Sequence, residues 1–416
     1  MTINNRLSSP APWPVFPVDE IDAVTGVLQS GKVNYWTGTM CREFEREYAA
    51  YVGTKYAVAV ANGTVALELA LYALGVGQGD EVITTSRTYI ASASCAVMRG
   101  AIPIIVDVDR NTQNIAPAAI RAAITPRTRA IVVVHLAGWP CDMDPIMAIA
   151  AEFGLKVIED CAQAHGAMYK GRAVGSIGHA GAFSFCQDKI ISTGGEGGMF
   201  TTNDEIVWER AWAYKDIGRS YDAVYRRQHE PGFRWLTDSF GTNWRLTEVQ
   251  GTIGRLQLAK LNGWRAARQR HAARLTQAFE AIPAVRVPLP PADVVHAYYK
   301  YYVFVEANML APEWSRDRIV HELSVLGVPC FTGSCSEIYL EKAFESLPTR
   351  PAERLPVAQE LGETSVMFLV HPTLTDEWMD AVIARIQAVF KLAMVPQPAT
   401  VHSRATGESD AVLASL

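Results

Sequence analysis

LKVIED at residues 155–160, GAFSF at 181–185 and GGMFTT at 197–202 decide how this chain folds. Each is a short, β-rich apolar run, and the first ends in two carboxylates, Glu159 and Asp160. Towards the N-terminus the same kind of run recurs, now alternating with helical patterns. YAVAV (56–60) precedes NGTVALELALYALG (62–75), and EVIT (81–84) precedes YIASASCAVMRG (89–100). IPIIVDV (102–108) precedes a helical stretch near 117–124, and RAIVVVH (129–135) precedes DMDPIMAIAAEFG (142–154). Apolar strands separated by amphipathic helices predict an α/β fold, a three-layer domain around a mostly parallel sheet. GGMFTT follows GAFSF without a crossover helix, which predicts one antiparallel strand.

Beyond residue 262 the pattern changes. WRAARQRHAARLTQAFEAI reads as a long amphipathic helix leading away from that core. YYKYYVFVE, a helix near 315–326 and a last helix near 375–392 then predict a smaller α+β domain. The expected division is 1–262, 263–395 and a flexible tail, 396–416, rich in Pro, Ser, Thr and charge. The N-terminal segment is expected to pack on the smaller domain.

A chain of 416 residues is too long for one simple core, which agrees with two domains. Its net charge of −5 argues against nucleic acid or an anionic membrane as the main partner. No apolar run has the length of a membrane span, and the first residues have no signal-peptide core. The seven cysteines lack framework spacing, so reduced thiols in a cytoplasmic protein are expected. Cys330 and Cys335 have no second Cys/His pair nearby, and no metal site is expected.

The chemistry concentrates around Lys189 in FSFCQDKIISTGGEGG (183–198). A lysine between a strand and a glycine-rich turn can be desolvated and act as an amine nucleophile; the alternative is a solvated loop lysine. Asp160 ends an apolar strand, at the edge where open α/β sheets bind ligands, although an aspartate there also caps helices. Such a carboxylate can keep a ring nitrogen protonated. A lysine nucleophile with an acidic ring partner is the pairing that pyridoxal phosphate (PLP) chemistry requires. Glu159 should point to the opposite strand face and is read as structural. Gln163 is placed to reach a cofactor hydroxyl, while His165 reads equally well as a buried structural histidine.

Asn62-Gly63-Thr64 joins a strand to a helix, either as an anion site built from free N–H groups or as an ordinary cap. Tyr89 is either a ring over a flat cofactor or a core aromatic. Ser184 offers a hydroxyl to a phosphate. Asn243, in GTNWRLTEVQG, precedes a second amphipathic helix and offers both donor and acceptor groups, but says little alone.

In this order, ANGTVALELAL, EDCAQAHGA, FSFCQDK followed by GGEGGM, and GTNWRLTEVQGTIG resemble the DegT/DnrJ/EryC1/StrS family of PLP-dependent sugar aminotransferases. The resemblance runs from WPVFPVDEIDAV near residue 13 to HPTLTDEWM near residue 379. It implies the fold type I architecture of PLP enzymes and a homodimer with composite active sites. It implies Lys189 as the Schiff-base lysine, Asp160 on the pyridinium nitrogen, Gln163 on the ring hydroxyl and Tyr89 stacked on the ring. Gly63, Thr64 and Ser184 are implied at the phosphate, with Asn243 reaching it from the other subunit. The implied reaction moves an amino group from an amino acid, with L-glutamate the expected donor, to a keto sugar carried on a nucleotide. A keto sugar without a nucleotide, a cyclitol ketone, or a non-catalytic PLP-binding protein are the alternatives. Relatives that dehydrate sugars carry histidine where this chain keeps Lys189. The His-Tyr-Pro stretch common in the family is replaced here by GVPCFTGSCSEIYLEKAF, and Arg219, Tyr221, Arg226 or Arg227 is either a group that meets a diphosphate or part of a mobile surface loop.

Overall fold

The computed structural model describes residues 6–394; the segment expected to be a tail, 396–416, lies outside the described residues. Seven strands form the main sheet, in the order Tyr56–Val60, Gly198–Thr202, Ala180–Ser184, Lys156–Asp160, Thr128–Val134, Glu81–Thr85, Ile102–Val106. Gly198–Thr202 is antiparallel to both strands beside it, and every other pairing is parallel. The cause is the one read from the sequence. No helix lies between Ser184 and Gly198 to carry the chain back across a face of the sheet.

Both faces of the sheet are covered, which is why its strands are apolar at consecutive positions rather than alternate ones. Along Tyr56–Val60, Val58 and Val60 pack with helices Gly63–Ala73, Ala91–Met98 and Glu205–Tyr214. Ala57 and Ala59 face the other way, towards Phe44 and Tyr48 of helix Met40–Val52. This helix and Val18–Ser30 were not anticipated. Phe44, Tyr48 and Val52 recur at the four-residue helical spacing and are buried, so the signal was present.

The two amphipathic patterns after Asn243 form one uninterrupted helix, Glu248–Glu280, opened by a capping box between Thr247 and Gln250. The expected division at 262/263 falls inside it. Its first half packs on helix Met40–Val52, where a Cβ on Gly254 would sit 2.6 Å from the Phe44 ring. Its second half puts Ala272, Leu275 and Phe279 into a separate core. That core lies under an antiparallel sheet ordered Val285–Arg286, Tyr301–Val305, Ser365–Phe368, Cys330–Phe331, with helices Arg316–Val325 and Asp376–Ala393.

The N-terminal segment lies along this second unit. Leu7 N donates to Leu326 O (2.9 Å), Trp378 Nε1 to Ser8 O (3.2 Å) and Thr373 Oγ1 to Pro12 O (3.0 Å). Among the described residues, no helix is long and apolar enough to cross a membrane.

Candidate active site

Three parallel strands and the first turns of two helices converge on a cavity of about 440 Å³, within the usual range for small-ligand sites. Lys189, Asp160, Gln163, Ser184, Gly63, Thr64 and Tyr89 all line it. Asn243 does not line it; it sits in a bridge to Asp216.

Asp160 ends its strand inside the cavity and is almost fully buried. Its Oδ2 accepts from Ser92 Oγ at 2.7 Å and its Oδ1 from Ala162 N at 3.1 Å. The second bond is the helix-cap arrangement weighed from the sequence, so one carboxylate serves the turn and faces the cavity. Burial pushes its pKa up; Ser92, Ala162 and the Lys189 charge only partly offset this. Among the described residues, no Lys or Arg forms an ion pair with Asp160. A carboxylate held in this state is matched by a cationic ring N–H.

Lys189 is brought opposite it by the chain reversal after Ser184. Its side chain is 17% exposed, with Nζ 3.7 Å from Asp188 Oδ1 and 5.1 Å from the Tyr299 ring centroid. Asp188 also accepts a hydrogen bond from the Tyr299 hydroxyl. Burial pulls the Asp188 pKa up, yet Lys189 and Tyr299 hold it below its ordinary value, so it stays an anion beside the amine. Trp13 Nε1 donates to Lys189 O at 3.0 Å.

The cavity also gathers hydrogen-bond donors around Gly63, Thr64 and Ser184. Asn62 caps helix Gly63–Ala73 by accepting from Val65 N. The N–H groups of Gly63 and Thr64, in its first turn, have no intrahelical carbonyl to bond. A Cβ on Gly63 would lie 2.6 Å from Ser184 Cβ, so only glycine lets the helix start and the Ser184 hydroxyl share one space. First-turn N–H groups, the helix dipole and two hydroxyls form a donor set that fits a phosphate.

Gln163 Oε1 accepts from Ala137 N at 2.7 Å, which orients its amide and leaves the NH₂ group to donate. Tyr89 lies two residues before helix Ala91–Met98 rather than on it, and its ring is 69% exposed over the cavity. His165 is the structural residue of the two readings. It bridges the Tyr48 hydroxyl and Ser184 O, each at 2.8 Å, and burial pushes its pKa down to about 3. Glu159 points away from the cavity, meeting His135 Nε2 at 3.0 Å and accepting from Gly175, Ile177 and Gly178 N.

The arginines of residues 216–236 do not line the cavity. Arg226 pairs with Glu205 and Glu209, and Arg227 with Asp222 and Asp238. Arg219 pairs with Asp216 and lies over Trp36, while Tyr221 packs on Trp208 and Trp212. Ser92, Asp188 and Trp13 were missed by sequence reasoning. A serine inside a helical stretch carries no signal of its own, and only the fold sets Ser92 against Asp160.

A lysine amine, a buried carboxylate and a donor set that fits a phosphate share one cavity on a three-layer α/β sheet, as in a PLP enzyme of fold type I. The sequence pattern of the DegT/DnrJ/EryC1/StrS aminotransferase family matches residues 16–387, and the chain belongs to that family. It is a PLP-dependent aminotransferase. An aminotransferase from Psychrobacter cryohalolentis has the same fold, with a TM-score of 0.91 and 57% identity, over 92% of this chain and 99% of that one. GDP-perosamine synthase of Caulobacter vibrioides is 38% identical, over 85% of this chain and 90% of its own length. The dTDP-3-amino-3,6-dideoxy-alpha-D-galactopyranose transaminase of Aneurinibacillus thermoaerophilus is 35% identical, over 88% and 93% respectively.

Proposed function

We propose that this aminotransferase takes an amino group from L-glutamate and places it on a keto sugar carried by a nucleoside diphosphate, in the making of a surface polysaccharide or natural product. The observation that carries the reading is a second cavity of about 430 Å³ that shares Tyr89, Gln163, Asp188 and Lys189 with the first. Once the cofactor fills the first cavity, the second leaves room for a sugar beside Lys189. The two curated relatives are named for GDP- and dTDP-linked sugars, which supports a nucleotide-linked acceptor.

Bound PLP supplies an electron sink for the charge that develops at the substrate carbon as its proton leaves. The chain's own residues supply the rest. Asp160 holds the proton on the ring nitrogen, and Ser92 keeps that carboxylate aimed. Gln163 NH₂ would donate to the ring hydroxyl, and Tyr89 would offer its ring to the cofactor for stacking. Gly63, Thr64 and Ser184 would hold the phosphate in the cavity that Lys189 also lines. The Lys189 amine accepts the proton from the donor's Cα and delivers it at the other end of the transfer, first as base and then as acid. Asp188 steadies that amine between the two tasks.

A homodimer is part of this proposal. Asn243 does not line its own chain's cavity, yet it adjoins a segment with Phe233, Trp235 and Phe240 exposed at 78%, 78% and 98%. Apolar rings held in water favour burial against a second copy, which would carry Asn243 to the partner's phosphate. A cytoplasmic location fits a reaction on nucleotide-linked sugars.

Spectroscopy of the purified protein tests the reading. L-glutamate should bleach the visible band of the bound cofactor, and a nucleotide-linked 3-keto or 4-keto sugar should restore it with release of the amino sugar. Restoration by unlinked keto sugars alone would overturn the nucleotide-linked assignment.

A further inference from the structure

The second cavity carries a cation without an acidic partner. Lys300, from YYKYYVFVE, stands just before strand Tyr301–Val305, is partly buried and lines the cavity. Its Nζ lies 4.8 Å from the Tyr299 ring centroid, and Lys189 Nζ lies 5.1 Å from the same ring. The two ammonium groups are therefore no farther apart than those distances together. Among the described residues, no carboxylate comes within ion-pair range of Lys300. Asp188 is the acid it senses, and that carboxylate already serves Lys189 and the Tyr299 hydroxyl. The cavity's other acid, Glu341, acts on Cys335 instead.

A third cation stands behind the Tyr299 backbone. Arg268 is fully buried, and its Nη1 donates to Tyr299 O at 3.2 Å. Burial first, then Arg268 and Lys189 against the opposing Asp188, push the Lys300 pKa down to about 8. Three cations around one occupied carboxylate leave the wall beside Lys189 short of negative charge. A lysine half out of water and facing a cavity is suited to a bound anion.

We propose that Lys300 binds the anionic group of the substrate, setting its distance from Lys189 and thereby helping to choose which molecules react. A carboxylate of the amino donor and the diphosphate of the sugar acceptor share the required chemistry. In a two-step transfer both occupy this cavity in turn. The inference rests on the aminotransferase reading above but does not depend on which sugar is accepted, since the donor step can be followed alone.

The test measures each half-reaction separately in the PLP-loaded enzyme, for the parent, Lys300→Gln and Lys300→Arg. Lys300→Gln should raise KM by about tenfold or more, the usual size of one charge-assisted contact, with a smaller change in kcat. Lys300→Arg should recover most of that loss. A rise confined to the L-glutamate step assigns the contact to the donor, one confined to the sugar step assigns it to the acceptor, and a rise in both assigns it to both. KM values within twofold of the parent in both steps would overturn the proposal. The parent alone gives a second check that needs no variant to fold. Glutarate and inorganic pyrophosphate, which carry neither amine nor ketone, should compete with substrate, and failure of both to compete overturns it. If no keto sugar restores the band, the acceptor assignment fails while the glutamate step still tests Lys300.

Discussion

The two cavities that meet at Lys189 are built differently. The cofactor cavity is walled by strand ends and helix first turns of one sheet, and most of its polar groups are held by another group: Asp160 by Ser92, Gln163 by Ala137, Lys189 by Asp188. The adjoining cavity borrows its far wall from the second sheet and the loops around it, through Lys300, Tyr302, Phe331 and Met367. There Tyr302 and Ser334 bond to one another, while Lys300 has no carboxylate within ion-pair range among the described residues. A pocket that runs the same chemistry on every turnover gains from fixed partners. A pocket that must admit and release two different substrates gains from groups completed only by the ligand.

That contrast can be broken at several points. Lys189→Ala should have the largest effect, lowering turnover by on the order of 10⁴-fold and abolishing the visible band of the bound cofactor. Retention of that band would show that the amine is held elsewhere. Asp160→Asn should slow the L-glutamate step by roughly 10²–10³-fold with little change in glutamate KM, as read by stopped-flow absorbance. A change mainly in KM would place Asp160 in the substrate cavity instead. Gly63→Ala forces a methyl group against Ser184 and should weaken PLP binding by ~1–3 kcal/mol in equilibrium titration. If it spared PLP but altered the choice of sugar, the division between the cavities would fail.

Ser92→Ala removes one donor to Asp160, a loss of roughly 1–2 kcal/mol, and should slow the L-glutamate step by about tenfold. The smallest effect is in pH. Lys300 has a pKa below the ordinary lysine value, so it is charged below about 8 and loses its proton as pH rises through that point. The parent's KM advantage over Lys300→Gln should be full below pH 8 and shrink by up to about tenfold per unit above it. An advantage constant to pH 10 would mean that charge is not what Lys300 contributes.

Most of the first cavity was legible in the sequence because its elements are local. An apolar strand that ends in aspartate, or a strand followed by Asn-Gly-Thr, states its own geometry within a few residues. The antiparallel strand was legible for the same reason, through a connection too short for a crossover. Ser92 was not, because a serine within a helix announces nothing until the neighbouring strand places Asp160 against it. Lys300 looked like one more residue of a strand pattern; its meaning depends on Tyr299, Asp188 and Arg268, which come from three separate parts of the chain. The arginines of 216–236 illustrate the reverse. Their composition pointed to phosphate, whereas their acidic neighbours in space satisfy them. The long helix was read in two pieces because its first half packs in one core, with Leu258 and Leu261, and its second half in another, with Leu275 and Phe279.

The contact between Trp13 and the Lys189 carbonyl ties the site to parts of the chain far away in sequence. Trp13 is packed against Trp264 and His371, and the neighbouring Pro12 is tied to Thr373, 361 positions later in the chain. Residues 12 and 13 therefore close on the lysine only where residues 371–373 are already in place.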